Sequence, residues 1–147
     1  MNFVEFLSGV GPDYKERMLS EIWRYTDFEI DNTHDFIQVV FPTDKLSKSS
    51  FHGLYLKSQE EIEAIQKCQI ATTNLAVSSS WFVEYLERNG GWQNKYDHNH
   101  LRISRIIQCL RLLVSNIEAE RFREKVFAPI SAESKITNKT LKIWQSY

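Results

Sequence analysis

Three times in this chain a hydroxyl residue is followed three positions later by a glutamate: Thr26–Glu29, Ser58–Glu61 and Ser115–Glu118. At a helix start the hydroxyl accepts from the third backbone N–H, and the glutamate reaches back toward the cap. Each spacing therefore predicts an N-terminus. The apolar residues that follow recur at steps of three and four, the period of a helix face rather than a strand. Only 5 Gly and 3 Pro are present, too few turn-formers for a β-sandwich. The expected fold class is all-α, a single helical domain of about six helices that includes one long helix.

Pro12, following Gly11, is placed to open a first helix, because a first turn leaves its missing N–H unused. Leu19, Ile22 and Trp23 mark the inward face of that helix. Thr26 then caps a helix expected from about Asp27 to Phe41, which Pro42 ends by disfavouring helical geometry just before it. Residues 43–57, with Ser47, Ser49, Ser50 and Gly53, read as a loop. From Ser58, residues Ile62, Ile65, Cys68, Leu75, Phe82 and Leu86 keep one face up to Asn89-Gly90-Gly91. Unbroken, this is a helix of roughly 45 Å. Its weakest stretch is Thr72-Thr73-Asn74, whose side chains lose rotamer freedom or compete for backbone hydrogen bonds.

Trp92 to Tyr96 connect to an amphipathic helix expected from about Asp97 to Val114, and Ser115 caps one that passes Phe122 and Val126 before Pro129. The tail, residues 129–147, carries Ile136, Ile143 and Trp144 as apolar anchors and Lys135, Lys139 and Lys142 as charges. Docking of the three anchors onto the domain is expected. Contact with a partner or an acidic membrane surface is the alternative.

A formal net charge of −1 supplies no field for gathering polyanions, so nucleic-acid binding is not expected. Cys68 and Cys109 each stand alone in a helical pattern and read as reduced, small core residues of a cytoplasmic protein. The N-terminal apolar run holds Glu5 and breaks at Gly9 and Gly11, which fits neither a signal peptide nor a membrane span.

In the helix expected over Asp27–Phe41, residues Ile30, Thr33, His34, Ile37, Val40 and Phe41 share a face, so His34 is expected to point inward. A buried imidazole needs a partner, whether as a core clasp, a ligand contact or a catalytic base. Gln38, four residues on, shares the same pocket. Asp27, Asp31 and Asp35 form an acidic stripe beside it, read as a solvated helix edge. The second constellation is His98, Arg102 and Arg105, on one face at a helix start, where free N–H groups and two guanidinium groups can hold an anion. The competing reading pairs these arginines with carboxylates such as Asp31 or Asp35. The site expected is a cleft where His34, Asp35 and Gln38 meet His98, Arg102 and Arg105.

Other signals carry less. His98-x-His100 diverges on a helix and lacks supporting ligands, and His52 is alone, so no metal is expected. Ser78-Ser79-Ser80 lacks a Gly-x-Ser-x-Gly elbow, and no Gly-rich phosphate loop is present, so no cofactor is expected. Trp81, Phe82, Tyr85 and Leu86 read as core.

The run His34-Asp35-Phe36-Ile37-Gln38-Val39-Val40-Phe41-Pro42 resembles the signature of the opioid growth factor receptor domain family, and His98-Asn99-His100-Leu101-Arg102-Ile103-Ser104-Arg105-Ile106-Ile107 matches a second block. With Trp23, the Ser-rich loop with Leu54, and the capped Ser58–Ile62 start in order, the resemblance covers about residues 20–128. It departs at Val39-Val40, where the family reads Trp-Leu. The resemblance implies a helical domain, and a small free-standing form looks like a microbial member. Animal members are associated with an opioid peptide receptor linked to membrane and nucleus, but no residue motif carries that binding onto this chain.

The leading functional reading is a non-enzymatic binding module for a peptide or small anionic ligand, with a protein partner as a further option. The alternatives are a small hydrolase or transferase using His34 with Asp35 or an arginine, and a purely structural interaction domain.

Overall fold

The computed structural model describes residues 1–46 and 53–147. The expectations for Ser47, Ser49, Ser50 and His52 lie outside the described residues. The chain is all-α as expected, with nine α-helices among the described residues. It divides into two compact units, Met1–Ser78 and Ser79–Tyr147.

In the first unit, α1 (Phe3–Leu7) is capped by the Asn2 side chain, which accepts from the Glu5 N–H. It ends at Gly9, where φ is +83°, a left-handed geometry that glycine reaches without strain. Pro12 does not open a helix. Residues 12–18 turn around Asp13 instead, and α2 (Leu19–Ile22) is a single turn. Thr26 and Glu29 form the expected reciprocal cap of α3 (Asp27–Asn32).

The helix expected to reach Phe41 stops at Asn32. Thr33 is extended (φ −99°, ψ 118°), and helix resumes only as α4 (Ile37–Val40). The interruption has a tertiary cause. The Asp35 carbonyl accepts from the Tyr14 hydroxyl and from Arg17 Nη2, contacts that hold residues 33–36 out of the helical path. His34, expected to face inward, is consequently exposed. Phe36 is buried in its place and meets Tyr25 edge-on, ring centroids 5.7 Å apart.

The single long helix expected from Ser58 is two helices, α5 (Gln59–Lys67) and α6 (Gln69–Arg88), and α1 packs against α5. The break falls at Cys68, whose backbone is extended, and not at Thr72–Asn74. Those polar residues stay helical because their side chains have partners. Thr72 Oγ1 donates to the Gln69 carbonyl, and Asn74 Nδ2 donates to the Leu7 carbonyl at the end of α1. Ser78 likewise has a packing role, since its buried hydroxyl accepts from Trp23 Nε1 at 2.9 Å.

In the second unit, the last turns of α6 bury Phe82, Tyr85 and Leu86. A short 3-10 turn, Gly90–Gln93, leads to α7 (Asn99–Leu113), α8 (Asn116–Phe127) and α9 (Asn138–Ser146). Helix α7 packs against both α8 and α9. That is why it is buried on more sides than an amphipathic surface helix, including Asn99, His100, Arg102 and Ser104. The tail docks through Trp144, fully buried, and Ile136, nearly so. Ile143 departs from expectation and is exposed.

Candidate functional site

The first unit gathers its charge around Arg17. Asp13, whose side chain is 0% exposed, accepts the Lys15 and Arg17 backbone N–H groups through Oδ1 at 2.8 and 2.9 Å. Its Oδ2 accepts from Arg17 Nε at 2.8 Å. Arg17 Nη1 donates to Asp35 Oδ1 at 2.7 Å, and Lys15 takes Asp35 Oδ2. Burial opposes ionisation of Asp35, but the hydrogen bonds from Lys15 and Arg17 outweigh it and hold the carboxyl below its ordinary value. Burial also works against the Arg17 charge, and the two aspartates reverse that effect, leaving its pKa raised. Glu16 adopts φ +61° to complete the turn, a cost of about 1–2 kcal/mol that the Asp13 bonds offset.

This cluster is a closed clasp. Both Asp35 oxygens are engaged by cations, so Asp35 is not the solvated helix edge that was expected. Gln38 is buried, and its Oε1 has no hydrogen-bond partner among the described residues.

The residues expected on one face of α7 separate by depth. His98 is exposed at the helix start, with Nδ1 3.9 Å from Asp97 Oδ1. Arg102 is 5% exposed and donates to Asn99 Oδ1 at 3.3 Å, while Asn99 Nδ2 donates to the Tyr85 hydroxyl at 3.2 Å. Arg105 is half-buried, and burial pushes its guanidinium below the ordinary value. The anion expected at the helix N-terminus is supplied by the chain itself, since Asp97 Oδ1 accepts the Asn99 N–H at 2.8 Å.

His100, set aside in the sequence as part of a poor metal pair, organises the unit. Its Nε2 lies 2.6 Å from the Trp92 carbonyl, which fixes Nε2 as the protonated nitrogen. Its own carbonyl accepts from Trp144 Nε1 at 3.2 Å, and the two rings meet edge-on with centroids 5.5 Å apart. These contacts seat α9 against the start of α7.

Between them opens a groove of about 820 Å³ lined by Lys95, Tyr96, Asp97, His98, His100, Thr137, Lys139, Thr140 and Ile143. Of the six residues expected in a site, His98 lines it. Lys95, Tyr96, Asp97, Thr137, Thr140 and Ile143 carry no site signal in the sequence, where Lys139 reads only as a tail charge. Thr137 caps α9, accepting the Thr140 N–H at 3.2 Å. Two lysines share the lining with one carboxylate, Asp97, while Tyr96 and Ile143 offer apolar contact. That arrangement suits holding an anion. Among the described residues no group of three or more His, Cys, Asp or Glu is arranged to hold a metal ion.

No protein-family model, curated protein or solved structure matches the chain. Among the described residues no helix is long and apolar enough to cross a membrane. Cys109 is a buried free thiol, pushed up to about 12 by burial, and Cys68 is a free, half-buried thiol at the junction of α5 and α6.

Proposed function

We propose that this chain is a non-enzymatic binding module that takes an anionic ligand in the groove of its second unit. The observation that carries the reading is the placement of Lys95 and Lys139 around one open depression that holds a single carboxylate, Asp97, in a chain whose net charge is −1. Cations concentrated against the overall balance create a local potential that favours an anion. Fixed neighbours reinforce it, because His100 and Trp144 hold the two walls in register. A protein ligand presenting such an anion falls within the same reading.

The reading as a small hydrolase or transferase has less support, because His34 is exposed beside an Asp35 already neutralised by Lys15 and Arg17. The resemblance to the opioid growth factor receptor domain family stays part of our proposal, on the ordered blocks from Trp23 to Pro42 and from His98 to Ile107. A cytoplasmic setting is proposed from the two free cysteines.

Titration of the labelled chain with inorganic phosphate, followed by NMR, tests the site. The amides of residues 95–98 and 137–140 are expected to shift together and saturate, and Lys139→Glu is expected to weaken binding at least several-fold. Shifts spread evenly over the surface, or unaffected by Lys139→Glu, would remove the groove as the site.

A further inference from the structure

We infer that the groove is the head of a longer trough along α9 that takes an extended acidic peptide segment; this rests on the anion-binding reading above. A second depression, of about 530 Å³, is lined by Lys139, Lys142, Ile143 and Ser146. It shares Lys139 and Ile143 with the groove, so the two depressions adjoin at those residues. Residues 139, 142, 143 and 146 recur at helical spacing and form one stripe of α9.

The stripe is about 10 Å long at the helical rise. Three residues of an extended strand span that length, and their alternate side chains point the same way. An aspartate at every second position can then meet Lys95 and Lys139 in turn, with Lys142 beyond, while the intervening side chains point away from the trough toward solvent. Both depressions are open to solvent, as a chain passing through requires. Complementarity favours acid, because Lys95, Lys139 and Lys142 face the single carboxylate of Asp97 along the trough.

The same lysines could suit an anionic membrane, but the residue that would insert, Trp144, is fully buried and hydrogen-bonded to the His100 carbonyl. A lipid surface therefore meets lysines without an apolar anchor from that tryptophan.

Lys142 separates the two claims, since it lies outside the head of the trough. The test uses a fluorescein-labelled hexapeptide of alternating aspartate and leucine, inorganic phosphate, and vesicles of phosphatidylserine and phosphatidylcholine. Lys142→Glu is expected to weaken peptide binding at least fivefold by anisotropy and to leave the phosphate affinity unchanged. Lys139→Glu is expected to weaken both. Lys142 is exposed, and an unchanged thermal midpoint in the variant verifies that the fold is intact.

Peptide binding that ignores Lys142→Glu, or absent peptide binding with phosphate still bound, overturns the trough and spares the anion site. Loss of both ligands in the unmodified chain overturns both readings. Vesicle binding that displaces the peptide and depends on Lys142 replaces the peptide with a membrane surface.

Discussion

In the first unit, Arg17 stands between two aspartates, and Asp35 is shared with Lys15, so each charge in the cluster is met by its opposite. In the second unit, the polar residues at the start of α7 sort themselves by depth. Arg102 and Asn99 bond to each other below the surface, while Lys95 and Lys139 remain around an open groove. Comparable side chains thus do two kinds of work. Matched and enclosed charges fix the path of the backbone, as the halt of α3 at Asn32 shows. Cations in excess at an opening have capacity left for a ligand. The richest charge cluster of a chain is therefore not automatically its site.

The comparison breaks first if the clasp carries little stability. Asp13→Ala removes the acceptor of two backbone N–H groups and leaves Arg17 half-paired in a largely buried position. A loss of about 3 kcal/mol or more is expected in chemical denaturation. A loss near zero would show that the turn at residues 12–18 holds without it.

Arg102→Gln is expected to cost about 1–3 kcal/mol, because Asn99 loses a buried partner, with phosphate binding in the groove retained. Lost binding in a variant of normal stability would return Arg102 to the ligand site and blur the contrast between the clusters.

Acid sharpens it further. The folded Asp35 carboxyl lies below its unfolded value, so its contribution is complete above the ordinary aspartate range, about pH 4. That contribution is lost as the pH falls through the folded value. Denaturation midpoints measured across this window are expected to fall for the unmodified chain and to fall less for Asp35→Asn. Parallel profiles would mean that Asp35 is not the group responsible.

The smallest effect is reserved for the residue that looked most important in the sequence. His34→Ala, at an exposed position, is expected to change stability by no more than about 0.5 kcal/mol. A large loss would place His34 in the core after all.

Legibility followed the range of the interaction. Thr26, Ser58 and Ser115 each cap a helix as their spacing predicts, because a cap is settled within four residues. The extent of α7, expected from about Asp97 to Val114 and found over Asn99–Leu113, was readable from its apolar period instead, since no side chain caps its start. His34 was misplaced because its periodicity assumed a helix continuing to Phe41, and the contacts that interrupt it come from Tyr14 and Arg17. Cys68 gave no local sign of a break, whereas Thr72 and Asn74 gave one and stayed helical, Thr72 bonding within its own helix and Asn74 reaching the distant Leu7 carbonyl. One signal for the groove was available: Lys139, Lys142 and Ile143 sit at offsets of three and four in the tail. What was missing was the knowledge that Trp144 alone of that segment turns fully inward.

By itself the sequence determined that this chain is helical and where its capped helices begin. Those properties depend on propensity, capping and period, which act between near neighbours. Only the tertiary structure decided which charges are enclosed and which stay available. Asp13 meets Asp35 through Arg17, and the connector at residues 95–98 meets the start of α9, across stretches of chain that no local pattern spans. Burial sets the energetic worth of each such meeting, and burial belongs to the fold.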